Sequence, residues 1–184
     1  MSDGDSVDQS TYCPTCGTDL VDQQLEGRTR RYCPNCEQPI YRNPKPCAGV
    51  LVVDKRDQVL LVQRTQPPAV GAWSLPAGYL EADEPPAMAA VRELSEETAL
   101  SLAIEDLQLH DTTFVRHPGR HHVLVVIYTA SRSQTTGSVE ADSDAAAARF
   151  WGLAEFRASG ERIEPGYGAI LETAIQSART DGEE

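Results

Sequence analysis

Lysine is almost absent from this 184-residue chain: Lys45 and Lys55 stand against 14 arginines and 28 acids. The formal charge is −12 and the isoelectric point is near 4.7. A nucleic-acid binder carries a basic footprint, so the chain as a whole argues against a nucleic-acid partner. No uninterrupted apolar run reaches the roughly 18 residues that a membrane-spanning helix needs, and no membrane partner is expected. The opening Met-Ser-Asp-Gly-Asp-Ser has no basic stretch leading into an apolar one, so a secretory signal is not expected either. Five cysteines are too few and too unevenly placed for a secreted disulfide scaffold. These absences point to a cytoplasmic protein. The acid-rich, lysine-poor balance suits a high-salt cytosol as well as an ordinary solvated acidic surface. With 40% apolar residues, there is material for one domain of about 150 residues and a small extra piece.

Four of the cysteines form two pairs, Cys13-Pro-Thr-Cys16 and Cys33-Pro-Asn-Cys36, with 16 residues between the inner two. Two residues between cysteines let a tight turn aim both sulfurs at one ion, and two such turns complete a tetrahedral zinc site. Four thiolates leave no open position for chemistry, so Zn2+ here is expected to be structural, folding a segment too short to fold alone. A redox reading of Cys-x-x-Cys is weaker, because one such motif would suffice. Gly17 follows the first turn, whereas Glu37 stands at the equivalent place after the second. Cys47 is alone and reads as a buried small side chain.

The chain divides on this reading into an acidic tail over 1–10, a zinc ribbon over 11–40, a larger domain over 41–179 and a tail over 180–184. The proline-bearing stretch 39–46 reads as a stiff linker. Segments 47–54 and 58–64 are β-rich and joined by the hairpin signal Lys55-Arg56-Asp57. A helix is predicted over 85–99, its tandem prolines tolerated in the first turn, with Met88, Val91 and Leu94 as its packing stripe. Strands are predicted over 107–116 and 122–130, a polar loop over 131–144, and a closing helix over 165–179. The stretch 145–153 is ambiguous.

On the predicted helix, Glu93, Glu96 and Glu97 are spaced to share one face. A bare helix disfavours such crowding, and a hard divalent cation relieves it, because Mg2+ and Mn2+ prefer carboxylate oxygens. A solvated acidic face is the competing reading in so acidic a chain. The wider spacing decides between them: Gly78-x5-Glu84-x7-Arg92-Glu93-Leu94-x-Glu96-Glu97-x-Ala99-Leu100. This string resembles the signature of the Nudix hydrolases at every fixed position but Ala99, where the family usually has Gly. Chance would produce eight such matches at about 10⁻⁸ per starting position. An alanine there costs little where φ is negative. The resemblance extends through Asn43-Pro44-Lys45-Pro46, residues 59–64 and residues 73–81. Taken with the cysteine ribbon, it is similar to the zinc-ribbon branch of ADP-ribose and FAD pyrophosphatases, which is related to the NADH pyrophosphatases.

The resemblance implies an α/β/α sandwich with a mixed sheet behind a small zinc ribbon. It implies that Glu93, Glu96 and Glu97, with the carbonyl of Gly78, hold Mg2+ or Mn2+. Arg92 orients the carboxylates and Glu84 braces the loop. Arg64, Trp73 and Tyr79 are candidates for substrate contact, as phosphate partner and as stacking rings, with a packed loop aromatic an equal reading for each ring and a surface arginine the alternative for Arg64. The reaction implied is water attack on a nucleoside diphosphate linkage, ADP-ribose or FAD ahead of NADH and nucleoside triphosphates. The stretch 101–116 lacks the Ser-Gln-Pro-Trp-Pro-Phe-Pro-like sequence of NADH pyrophosphatases. Ala147 stands where many relatives carry a Glu, which ranks the box glutamates first as general base, ahead of Glu140, Asp142 and Asp144. The cluster Arg116, His117, Arg120, His121 and His122 reads as a solvated hairpin tip. Relatives are often homodimers. The competing class is a binding module, a zinc ribbon beside an inactive domain.

Overall fold

The computed structural model describes residues 10–67, 69–116, 121–143, 145–168 and 170. They divide into two compact units, one built on the cysteine-bearing stretch as far as Pro44 and one that begins at Lys45.

The small unit is an antiparallel sheet of β1 (Val21–Leu25), β2 (Arg28–Cys33) and β3 (Gln38–Ile40), in that order. Glu26 and Gly27 link β1 to β2 with φ of 52° and 76°. Two left-handed residues give the turn whose twist matches paired strands. The core of this unit is Cys13, Leu20 and Cys33, with Cys36 and Ile40 packed against it. The expected linker over 39–46 is shorter than predicted. Pro39 pairs with Tyr32 in the edge strand β3, where a missing N–H is tolerated. Pro46 lies at the start of β4 (Lys45–Val53).

In the larger unit the main sheet runs β12 (Ala145–Trp151), β5 (Val59–Arg64), β4, β10 (Val123–Ser131), β9 (Gln108–Val115). β4 and β10 are parallel and their other pairings antiparallel, so the sheet is mixed. The continuous apolar run of β4 follows from burial on both faces. After the hairpin, whose Asp54 carboxylate accepts from the backbones of Arg56 and Gln58 at 2.8 and 2.9 Å, β4 and β5 diverge. Two short strands fill the gap: β6 (Trp73–Ser74) pairs with β5, and β7 (Ala77–Tyr79) pairs with β4. β8 (Ser101–Leu102) pairs with β11 (Thr135–Thr136), which gives the predicted polar loop over 131–144 some order.

Helix α1 (Pro86–Thr98) lies on one face of the sheet, over Val50, Val52 and Leu60. On the other face, α2 (Leu153–Ser159) contributes Leu153 and Phe156 to a cluster with Leu51, Leu61, Trp73, Val125, Trp151 and Tyr167. The result is an α/β/α sandwich. The ambiguous stretch 145–153 divides into the end strand and the first residue of α2. Of the predicted closing helix over 165–179, residues 169 and 171–179 lie outside the described residues, and Pro165 and Gly166 form a turn. No helix among the described residues is long and apolar enough to cross a membrane.

Two expectations about α1 change. Its buried stripe is Ala89, Ala90, Leu94, Glu97 and Thr98, while Met88 is 49% exposed. Small alanines against Ala48 let the helix approach the sheet closely, and that approach favours the alanine side over the methionine side. Ala99, the C-cap, has φ of 58°, not a negative value. A left-handed L-residue costs about 1–2 kcal/mol, so Ala99→Gly is expected to raise stability by about 1 kcal/mol, a few degrees in Tm. Thermal melts of the two proteins check this. A lower Tm for the glycine variant would contradict it.

Candidate functional site

The divergence of β4 from β5 sets the backbone of 77–79 beside Cys47, Ala48 and Gly49. Directly above it, α1 turns its C-terminal half towards the same turn. Glu97 is 6% exposed and accepts a hydrogen bond from the Ala77 backbone at 3.1 Å. The Glu93 carboxylate lies so close to Gly78 that a Cβ there would meet Oε1 at 2.0 Å. Only glycine permits this approach. Glu96, one turn above Arg92 and half exposed, completes the set.

One guanidinium ties the acids together. Arg92 donates Nε and Nη2 to the two oxygens of Glu84, at 2.9 and 2.8 Å. Its Nη1 reaches Glu93 at 2.7 Å and Glu96 at 3.1 Å, and Nη2 also reaches the Tyr79 carbonyl at 3.0 Å. The Glu84 pair is a two-toothed fork, the strongest geometry available to this ion pair. It holds the Glu84 carboxyl below the usual carboxylate range and raises Arg92 further above neutral pH. Glu84, Glu93 and Glu96 meet on the one guanidinium of Arg92, and with Glu97 on the Ala77 N–H the four carboxylates outnumber it by three. Such a surplus is unfavourable in a half-buried site, and hard oxygen donors of this kind suit Mg2+ or Mn2+. The three helix acids are spread around Arg92 and the Gly78 turn. They are not drawn into one tight cluster.

The other predicted residues are placed differently. Tyr79 is 51% exposed, with the Lys45 ammonium 5.0 Å from its ring centre. Trp73, read equally as a stacking ring beside the pocket and as a packed loop aromatic, is 4% exposed. Its ring meets the Trp151 ring edge-on at 5.2 Å, and its indole N–H donates to Glu161 at 3.0 Å. Packing on the α2 face accounts for that position. Arg64 ends β5 and pairs with Glu164 at 3.4 Å. The backbones of Glu140 and Asp142 bond to the Thr98 and Glu97 carbonyls at 3.0 and 3.4 Å, which sets this loop at the end of α1. Ala147 is part-buried against the α2-side core. Asp144, His117 and Arg120 lie outside the described residues. Arg116 stacks its guanidinium 5.8 Å from the Phe114 ring centre.

Glu164 has no counterpart among the sequence expectations. It is 4% exposed, and burial pushes its carboxyl up while Arg64 pulls it down. The buried Cys47 thiol is pushed up to about 12, by burial first and then by Glu93, Glu97 and Glu164. As a thiol so raised, Cys47 is inert. Nothing in Ile163-Glu164-Pro165 marks the acid locally; only the chain path brings it to Arg64.

In the small unit, Cys13, Cys16, Cys33 and Cys36 bring their sulfurs within 4.8 Å of one another. Among the described residues they are the group of this kind with ligand atoms so close. The Cys13–Cys36 and Cys16–Cys33 sulfur separations are 4.0 and 3.5 Å. Zn–S bonds of about 2.3 Å make the edge of an S4 tetrahedron about 3.8 Å, so the quartet fits zinc as it stands. The Cys36 backbone N–H donates to Cys33 Sγ at 3.3 Å. The Thr18 hydroxyl draws Cys16 down to about 6, while the neighbouring thiols push Cys36 up to about 12. Four sulfurs this close cannot all ionise without a cation.

A mixed sheet between helices, with a carboxylate-bearing helix seated over a glycine turn, defines the class of α/β sandwich to which the chain is assigned. A model of the NUDIX domain matches residues 43–173, and the chain belongs to that family. It is 31% identical over 102 residues to an ADP-ribose pyrophosphatase of Methanocaldococcus jannaschii, covering 55% of this chain and 59% of that protein. The chain thus spans about three fifths of that relative. Among solved structures, a NUDIX hydrolase from Nitrosomonas europaea superposes with a TM-score of 0.61 at 22% identity, covering 83% of this chain and 95% of the other. A bifunctional NMN adenylyltransferase/ADP ribose pyrophosphatase from Francisella tularensis, complexed with AMP and a manganese ion, gives 0.60 at 25% identity. That match covers 75% of this chain and 42% of the other.

Proposed function

We propose that the protein hydrolyses a nucleoside diphosphate linkage, ADP-ribose or FAD first, releasing AMP and ribose 5-phosphate or FMN. The observation that carries this reading is the surplus of carboxylates around the single Arg92 guanidinium at the Gly78 turn. Glu93, Glu96, Glu97 and the Gly78 carbonyl are the proposed ligands of Mg2+ or Mn2+. A cation bound there would lower the pKa of the attacking water and offset charge on the bridging and leaving oxygens. Arg92 keeps the acids oriented, and Glu84 anchors Arg92 through the fork. The exposed Tyr79 ring is the proposed stacking surface for the nucleobase, Arg64 the proposed phosphate partner, and Trp73 supports them from the core. Zn2+ on the four cysteines is proposed as purely structural.

The test incubates the zinc-loaded full chain with Mg2+ or Mn2+ and each of ADP-ribose, FAD and NADH at one salt concentration. Products are identified by mass. AMP release is expected, with kcat/KM higher for ADP-ribose or FAD than for NADH. One diphosphate geometry serves all three, so groups holding the non-adenylate half must discriminate, and a matched contact is worth factors above about a thousand. A tenfold preference for NADH over both others overturns the ranking. No cleavage of any of them with either metal overturns the activity.

A further inference from the structure

Lys45, one of the chain's two lysines, is exposed at the start of β4. Its ammonium lies 5.0 Å from the centre of the Tyr79 ring. Among the described residues it has no carboxylate partner. Other ring-stacked cations are spent differently. Arg30 and Arg149 stand 4.9 and 3.9 Å from the Tyr41 and Trp151 rings, and each also pairs with an acid, Glu26 and Glu155. Arg116, on Phe114, follows β9 at the edge of the sheet. An aromatic ring attracts an ammonium without neutralising it, so the Lys45 charge stays available to an anion.

Strand register fixes where that charge stands. β7 pairs with β4 so that Cys47 is opposite Tyr79 and Ala48 is opposite Gly78. Opposite residues of an antiparallel pair share a face, and faces alternate along each strand. Ala48 packs with Ala89 and Ala90 of α1, on the side from which Glu93 crowds Gly78. Cys47 belongs to the cluster on the other face. Tyr79 and Lys45, two residues before Cys47, therefore lie on that face too. This alternation keeps the ammonium off the glutamates, yet its ring is carried by the residue next to Gly78. Both backbones are tied down: the Tyr79 carbonyl accepts from Arg92 at 3.0 Å, and the Leu80 N–H donates to the Pro46 carbonyl at 3.3 Å.

From this geometry we infer that Lys45 is a substrate-binding residue, whose ammonium, seated on the Tyr79 ring, donates to a phosphate oxygen of the diphosphate at the Gly78 turn. The inference rests on the diphosphate chemistry proposed above. Both phosphates of such a linkage are anionic, and the surplus carboxylates around Arg92 repel them. A cation approaching from the opposite face of β7 offsets that repulsion without competing for the glutamates. A lysine stem loses rotamer freedom when its head is fixed on a ligand, and the ring lowers that cost by holding it beforehand.

The experiment measures binding of inorganic pyrophosphate to the zinc-loaded full chain with Mg2+ by calorimetry, and ADP-ribose kinetics in parallel. Pyrophosphate has no ring to stack and reports on the phosphate contact whichever nucleoside is preferred. Failure of ADP-ribose turnover alone therefore counts against the proposed function and leaves this inference to the binding arm. Lys45→Met keeps most of the stem and removes the charge. It is expected to weaken pyrophosphate about tenfold and to raise KM by a similar factor, with kcat within about twofold, the scale of one charge-assisted hydrogen bond. Lys45→Arg should recover most of both losses. Lys55→Met removes the same charge from the hairpin between β4 and β5, and should change neither quantity by more than about twofold, because solvent and salt screen a distant exposed charge. Tyr79→Ala is expected to weaken pyrophosphate about threefold through its hold on Lys45, and to add nothing to Lys45→Met in the double variant. Equal losses in Lys45→Met and Lys55→Met would mark a general effect of net charge and overturn the inference. Additive losses in the double variant, unaltered binding in Lys45→Met, or no pyrophosphate binding by the wild type would overturn it as well.

Discussion

Replacing Glu97 by Gln is expected to lower kcat/KM for ADP-ribose by at least about a hundredfold, the scale lost with one strong electrostatic stabiliser. Glu97 lies on the buried side of α1, 6% exposed, with Oε2 on the Ala77 N–H. Glutamine has the same shape, and its carbonyl oxygen can accept that same bond, so the turn and the helix stay in place. What disappears is one negative charge from a site that, on the proposed reading, holds a divalent cation by charge. Affinity for Mg2+ should fall along with turnover, and Tm should move by no more than a few degrees. AMP release across a magnesium titration, with a thermal melt of each protein, separates these effects. Turnover unchanged in Glu97→Gln would move the reacting centre away from α1.

Cys33→Ser is expected to cost the small unit its order. Cys33 is fully buried, its sulfur 3.5 Å from Cys16 Sγ and accepting from the Cys36 backbone. Beyond the cysteines, the described residues of this unit bury Leu20, with Ile40 packed alongside. So small a core does not repay the entropy of ordering some thirty residues, at about 1–2 kcal/mol each for the backbone. Zinc held by four thiolates contributes on the order of 10–16 kcal/mol in small metal-folded units. Serine is a poorer ligand and leaves a gap where sulfur was. Zinc content by elemental analysis should fall below one per chain, and protease should cut between β1 and β2. Activity of the surviving sheet should fall by less than about tenfold. Wild-type protein that folds with no zinc after refolding in its presence would remove the structural role altogether.

Much of the architecture was legible locally. The two Cys-x2-Cys turns, the β-rich runs on either side of Lys55-Arg56-Asp57 and the proline-initiated helix are short-range patterns, and each element stands within a few residues of its expected bounds. The spacing of Gly78, Glu84, Arg92, Glu93, Glu96 and Glu97 was legible for the same reason, because one loop and one helix carry all of it. Errors arose where neighbours in space decide. Met88 looked like core and is exposed, because Ala89 and Ala90 fit the sheet more closely. Trp73 read equally as a stacking ring and as a packed aromatic, and Trp151 and Glu161, both distant in sequence, draw it inward.

By itself, then, the sequence determined β4, β5, α1, β9 and β10, the family signature and the two candidate metal-binding sets, since each rests on residue types at fixed short spacings. Tertiary structure decided the rest. It set Ala99 in the left-handed region by ending α1 against the backbone that follows. It seated Glu93 on Gly78 through the splay of β4 from β5. It brought Glu164 to Arg64 across a hundred residues of chain. The physical reason is common to all three. Periodicity and spacing report which faces are apolar and which ligands can converge, but a buried charge acquires its partner only when packing removes water and brings distant segments together.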